Sequence, residues 1–155
     1  MIDLFLCRHG EASFDAPSDR LRSLTESGVA NTEQCASSLQ SLLGGKVSAI
    51  WCSDLKRAQQ TAQIFASKLN LNPEMQTFLR PDSDPVMVVK KLSECKTSGS
   101  LLVVAHMPLL GDLVSLLLEG NVFMPYGFQT SELVHLRGEL IAAGLMERIE
   151  LLRSL

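Results

Sequence analysis

Arg8, His9 and Gly10 stand directly after the apolar run Ile2 to Cys7, so an arginine and a histidine sit side by side where a buried strand should end. In an open α/β sheet the carboxyl ends of the parallel strands border the ligand crevice. An arginine fork there can hold a phosphoryl group through two parallel charge-assisted hydrogen bonds, and a neutral imidazole beside it can attack phosphorus. The chemistry open to this pair is phosphoryl transfer. A second histidine, His106, follows the apolar run Leu101 to Ala105, with Pro108 placed to open the next helix. Two of the three histidines thus occupy equivalent strand-end positions, whereas His135 lies inside a closing strand and reads as structural.

Arg57 supplies a second cation. It falls in the first turn of the helix expected after the strand Val47 to Cys52, where unpaired amides and the positive end of the helix dipole favour an anion. A cation in that turn costs a few tenths to about 1 kcal/mol unless an anion offsets the repulsion. Arg57 therefore reads as a phosphoryl ligand, and its removal should leave the melting temperature nearly unchanged or slightly raised. Flanking guanidinium groups would also disfavour protonation of His9 and keep its lone pair available. Charge spreading over the transferring phosphoryl oxygens could be met by Arg8, Arg57 and a donor from His106, so the expected reaction needs no metal and no cofactor.

The elements that must position these residues alternate between strand-like and helical runs, the pattern of a sheet covered on both faces. Ile2 to Cys7 is the first strand. Thr25 should cap a helix with Val29, Ala36, Leu39 and Leu43 on one face, stopped by Gly44 and Gly45. After the strand Val47 to Cys52, Ser53 or Asp54 should cap a second helix whose Ala58, Ala62, Phe65 and Leu69 face inward. A short strand near Met75 to Leu79, a helix after Pro85, the buried strand Leu101 to Ala105 and a helix from Pro108 to Leu118 follow. Thr130 to Leu136 and Glu139 to Leu151 read as closing strands.

With 155 residues, 46% of them hydrophobic and 20% charged, the chain reads as one domain over residues 1–155 with room for a core. A net charge of −3 offers no footprint for nucleic acid, and no apolar run is long enough for a membrane span. The first residues lack the basic start and cleavage site of a secretory signal, so the expectation is a cytoplasmic protein, and a monomer is the expected state. Cys7, Cys35, Cys52 and Cys95 form no C-x-x-C pair and read as buried thiols. Cys52 and Arg57 are one residue too close for the C-x5-R loop of a cysteine phosphatase, and no glycine lies between them.

Several segments, in order, resemble the histidine phosphatase superfamily, whose fold is called phosphoglycerate mutase-like. They are L-C-R-H-G-E-A, L-T-E-S-G, C-S-D-L-K-R-A-Q-Q-T-A and V-V-A-H-M-P-L-L-G-D-L. The short length, D-R-L-R-S-L-T-E-S-G and H-M-P-L-L-G are most similar to the SixA-type phosphohistidine phosphatases. The resemblance implies a three-layer αβα sandwich with a mainly parallel sheet and one antiparallel strand near the carboxyl end. It also implies that His9 accepts the phosphoryl group, that Arg8 and Arg57 bind its oxygens, and that His106 completes the pocket.

Larger members carry a carboxylate acid and a capping insertion between strands three and four, where this chain has only L-R-P-D-S-D-P and a short helix. Asp82 and Asp84 are candidates for the acid but equally suit turns and helix starts. Asp19 and Arg22 could line the pocket, or belong to a solvated loop. An alkoxide leaving group needs a proton in the transition state, whereas an imidazole leaving from phosphohistidine is a far weaker base. An uncapped pocket also suits a phosphohistidine displayed on a protein such as a phosphotransfer domain. Two alternatives stay open: a metal-independent phosphatase of small phosphomonoesters or nucleotides, and a non-catalytic phosphoprotein-binding member.

Overall fold

The computed structural model describes residues 1–43, 46–95 and 99–152. Ile2–Arg8 (β1) and Ser100–Ala105 (β4) pair in parallel at the centre, with Cys7 opposite Val104 and Arg8 opposite Ala105. Successive side chains of a strand point to opposite faces, so Leu4, Leu6, Leu101 and Val103 enter one core while Phe5, Cys7, Leu102 and Val104 enter another. Burial on both faces explains why these runs are continuously apolar rather than alternating.

Ala49–Cys52 (β2) pairs with β4, and Pro73–Met75 (β3) pairs with β2, both in parallel. On the other side Leu133–Gly138 (β5) runs antiparallel to β1, and Glu147–Leu152 (β6) antiparallel to β5. Among the described residues the order is β3-β2-β4-β1-β5-β6, so β5 alone runs against the rest. Glu26–Leu43 (α1) and Lys56–Leu69 (α2) cover one face; Pro85–Ser93 (α3) and Leu109–Glu119 (α4) cover the other. This is the expected αβα sandwich, and no large insertion separates β3 from β4. No helix among the described residues is long and apolar enough to cross a membrane.

Thr25 caps α1 as expected, its Oγ1 accepting from the Gly28 amide at 3.0 Å. The buried face of α1, however, runs through Gly28, Thr32, Cys35, Ala36 and Leu39, and Val29 is exposed. Gly28 takes the inner position because a Cβ there would collide with the Glu11 carbonyl oxygen. Leu43's side chain and Gly44 and Gly45 lie outside what is described. The α2 face Ala58, Ala62, Phe65 and Leu69 is buried as expected, and Asn70 ends the helix in the left-handed region. Its N-cap, though, is Leu55 with no side-chain cap, because Ser53 and Asp54 are engaged elsewhere.

Three later boundaries also differ. The third strand comes earlier, and Thr77–Leu79 is a 3-10 turn that buries Leu79. The fifth begins at Leu133 rather than Thr130, and the sixth at Glu147 rather than Glu139. Gly144 and Met146 donate instead to the Leu116 and Leu117 carbonyls, Leu116 also accepting the Gly120 amide and Leu117 being an acceptor left open at the end of α4. Of the cysteines, Cys7, Cys35 and Cys52 are buried and Cys95 is half-buried.

Candidate active site

The register of β1 and β4 sets the site. Because Arg8 pairs with Ala105, His9 and His106 each emerge one residue beyond the last pair, and their ring centroids lie 5.0 Å apart. The His9 amide still donates to the Ala105 carbonyl at 3.1 Å, and the buried Ser131 amide donates to the carbonyls of Arg8 and His9 at 3.1 and 3.2 Å. Ser131 adopts φ +61°, a left-handed conformation uncommon for serine, and its hydroxyl bonds to Thr32 Oγ1 at 2.8 Å. From α2, Thr61 Oγ1 accepts the Gly10 amide at 3.0 Å. A Cβ on Gly10 would approach Thr32 Oγ1 at 2.8 Å and Gly28 O at 2.9 Å, so glycine lets α1 close against the loop.

His9 Nδ1 lies 2.8 Å from the Gly10 carbonyl oxygen. A carbonyl can only accept, so Nδ1 carries the proton of the neutral ring and Nε2 keeps its lone pair. Burial is the largest influence lowering the His9 pKa, to about 4; the Gly10 carbonyl opposes it, and Arg57, Arg8 and Arg22 add to it. The guanidinium groups thus act as expected, but burial does more. His106 is pushed down to about 3, by burial first and then by His9 and Arg57.

Arg8 donates from Nη1 to the Phe128 carbonyl at 2.8 Å, and burial followed by repulsion from Arg57 lowers its pKa. Arg57 is not a solvated first-turn cation. It is 4% exposed, donating from Nη1 to the Asp19 carbonyl at 2.9 Å and from Nη2 to the Asp19 carboxylate at 3.3 Å. Among the described residues, three cleft-lining side chains retain a buried polar atom without a partner: Arg8 Nε, Arg57 Nε and His106 Nδ1. Leaving such groups unsatisfied costs about 1–3 kcal/mol each, so three of them on side chains that line one cleft suit an acceptor-rich ligand.

The cleft has a volume of about 340 Å³, and its lining brings together Arg8, His9, Arg22, Arg57 and His106. Asp19 supports the site from behind Arg57. Burial raises its pKa, but Arg57 and Arg22 outweigh this and hold the carboxyl below its ordinary value. Asp84 instead caps α3 through the Val86 amide, Asp82 is exposed, and neither lines the cleft. His135 is far along β5, bonded to Asp3 at 2.7 Å and stacked on Phe5, in keeping with a structural role.

Some residues of the site escaped sequence reasoning. Ser53 Oγ lies 2.7 Å from His106 Nε2 and also accepts the Leu55 amide, which is why it does not cap α2. Asp54 is held by Arg80 and Arg20, which keep its carboxyl down at about 2, Arg80 contributing most. Glu11, Phe14, Met107 and Thr130 also line the cleft. Glu11 stood within the R-H-G-E-A segment, and its place two residues after His9 was the available signal. Among the described residues, no group of three or more His, Cys, Asp or Glu side chains is arranged to hold a metal ion.

Titration followed by NMR should find His9 and His106 both neutral at about pH 6, with midpoints near about 4 and about 3 respectively. A midpoint near an ordinary histidine's ~6.5 for either ring would contradict the environment described.

A mainly parallel sheet that ends in an Arg-His pair facing a second histidine, with an arginine from the helix after β2, defines a class of phosphoryl-handling fold. The model of the histidine phosphatase superfamily (branch 1) matches residues 4–80, and the chain belongs to this superfamily. It is 35% identical over 136 residues to phosphohistidine phosphatase SixA of Escherichia coli (strain K12), a match spanning 84% of this chain and 81% of that one. To the phosphohistidine phosphatase SixA homolog of Haemophilus influenzae (strain ATCC 51907 / DSM 11121 / KW20 / Rd) it is 31% identical over 124 residues, covering 74% and 76%. The structure of the protein histidine phosphatase SixA complexed with tungstate superposes with a TM-score of 0.87 at 28% identity, over 99% of this chain and 97% of that one.

Proposed function

We propose that the protein is a phosphohistidine phosphatase that dephosphorylates a phosphohistidine on a phosphotransfer protein through a covalent intermediate on His9. One observation carries the reading: Arg8, Arg57 and His106, each keeping a buried donor without a partner, line one cleft with an imidazole whose Nε2 lone pair is free. That arrangement suits a phosphoryl group, and the tungstate bound by the related phosphatase is an oxyanion.

Arg8 and Arg57 hold the phosphoryl oxygens, and His106 donates from Nδ1 while Ser53 fixes the other side of its ring. His9 Nε2 attacks phosphorus, the substrate's P–N bond breaks, and its electron pair returns to the departing nitrogen. If the substrate ring carries a proton on its other nitrogen, it leaves as neutral imidazole and no acid is needed. Phospho-His9 then bears the positive ring charge, which the Gly10 carbonyl stabilises through Nδ1–H. Water attacks phosphorus in turn, releasing dihydrogen phosphate and neutral His9. The Asp19 carboxyl, held ionised by Arg57 and Arg22, is a poor proton donor for an alkoxide.

Activity should therefore follow leaving-group basicity. It is expected to be appreciable on a phosphohistidine protein, weak on para-nitrophenyl phosphate and negligible on alkyl phosphates such as phosphoglycerate, with and without chelator. Efficient alkyl phosphate hydrolysis would overturn the order and make Glu11, the carboxylate of the cleft lining, the first residue to substitute.

A further inference from the structure

Phe14 is a large apolar side chain left 86% exposed, yet it lines the cleft and its ring is braced. The Arg22 guanidinium carbon sits 3.9 Å from the ring centroid. Arg22 is itself pinned, donating to the Ser13 carbonyl at 3.1 Å and the Ala12 carbonyl at 2.9 Å. The loop is tied down as well, by the bridge between Ala12 and Leu24 and by the Ser13 amide on the Ser23 carbonyl at 2.8 Å. Ordering costs entropy, so a ring held in this way is pre-organised for contact rather than merely stranded in solvent. Apart from the two histidines, Phe14 is the aromatic residue lining the cleft among the described residues.

Resting on the function proposed above, we propose that Phe14 determines specificity by stacking against the imidazole of the departing histidine. The phosphoryl group must sit among Arg8, Arg57 and His106 for His9 to reach it. Its leaving group lies opposite His9 and must therefore project toward the cleft mouth, whose rim carries Phe14. A planar heteroaromatic can stack there, while an alkyl or amino leaving group gains little. The charge of Arg22 behind the ring adds a preference: it repels a cationic phosphoimidazolium, and that repulsion is relieved as the ring departs neutral.

The test compares N-phosphorylimidazole with phosphoramidate, which has the same kind of P–N bond but no ring, using wild type, Phe14→Ala, Phe14→Leu and Phe14→Trp. Stacking should contribute about tenfold. Ala and Leu variants are expected to lose about that factor in kcat/KM on N-phosphorylimidazole and to match wild type on phosphoramidate, with Trp keeping both activities. Equal losses on the two donors, no loss on either, or full activity of the Leu variant would each overturn the stacking role. If wild type turns over N-phosphorylimidazole and the variants behave alike, this inference fails alone. Wild-type turnover of a phosphohistidine protein but of neither small donor would overturn this inference alone, and lack of turnover on all three would overturn the proposed function with it.

Discussion

Replacement of His9 by alanine is expected to abolish turnover, by roughly 10⁴-fold or more, because no other side chain in the cleft offers an uncharged nitrogen lone pair at this position. His106 Nε2 is engaged with Ser53, so it is not an equivalent nucleophile. Wild type quenched during turnover should carry phosphate that is acid-labile and alkali-stable, as on a phosphohistidine, and His9→Ala should carry none. Turnover that survives the substitution would end the nucleophile assignment. The fold should survive, since Gly10 and Ser131 anchor the loop through backbone bonds that the substitution leaves in place.

The same variant makes a thermodynamic prediction of known sign. The folded pKa of His9, about 4, lies below the ~6.5 of an unfolded histidine, so the unfolded chain takes up the proton first as pH falls. His9 thereby withdraws stability from the fold progressively between about pH 6.5 and 4, and makes no such contribution above that window. Melting temperatures of His9→Ala should consequently decline less steeply than those of wild type over that acid range.

Arg57→Ala should lower kcat/KM by about 10²–10³-fold, the usual effect of deleting one pre-organised donor to a transition-state oxygen. Helix-end reasoning alone expects the melting temperature to hold or rise. The structure reverses this, because Arg57 is buried and ties the Asp19 turn to α2 through two hydrogen bonds. Relief of repulsion with Arg8 and with the helix end offsets part of that loss. A net destabilisation of about 1 kcal/mol remains, or roughly 2–4 °C at this chain length. Arg57→Lys should recover only part of the activity, since an ammonium cannot serve Asp19 and grip a phosphoryl group as a planar fork does. An activity loss no larger than the stability loss explains would assign Arg57 to structure alone.

Legibility followed how local each determinant was. The runs Leu4 to Cys7 and Leu101 to Val104 are buried on both faces, and an unbroken apolar run flanked by turn residues signals that directly. Thr25 and Asp84 are helix caps whose partners lie two or three residues away, so sequence spacing contained the whole interaction. Ser53 and Asp54 have the same cap-like chemistry but were claimed by His106 and Arg80, partners 53 and 26 residues distant. Val29 lost its place in the core to Gly28 because of a close approach by the Glu11 carbonyl, which no helical periodicity encodes.

By itself, the sequence determined the alternation of strands and helices, the placing of Arg8, His9 and His106 at strand ends, and Arg57 in a first helical turn. These follow from short-range rules of apolar period, turn chemistry and helix termini. Tertiary structure alone decided that β1 and β4 pair in the register that sets the two histidine rings 5.0 Å apart. It likewise decided that burial, more than neighbouring charge, keeps His9 neutral, and that Asp19 braces Arg57 while Asp82 and Asp84 stay away. The physical reason is that register, desolvation and the competition of several donors for one acceptor depend on which distant segments share space, and that is settled only when the chain packs.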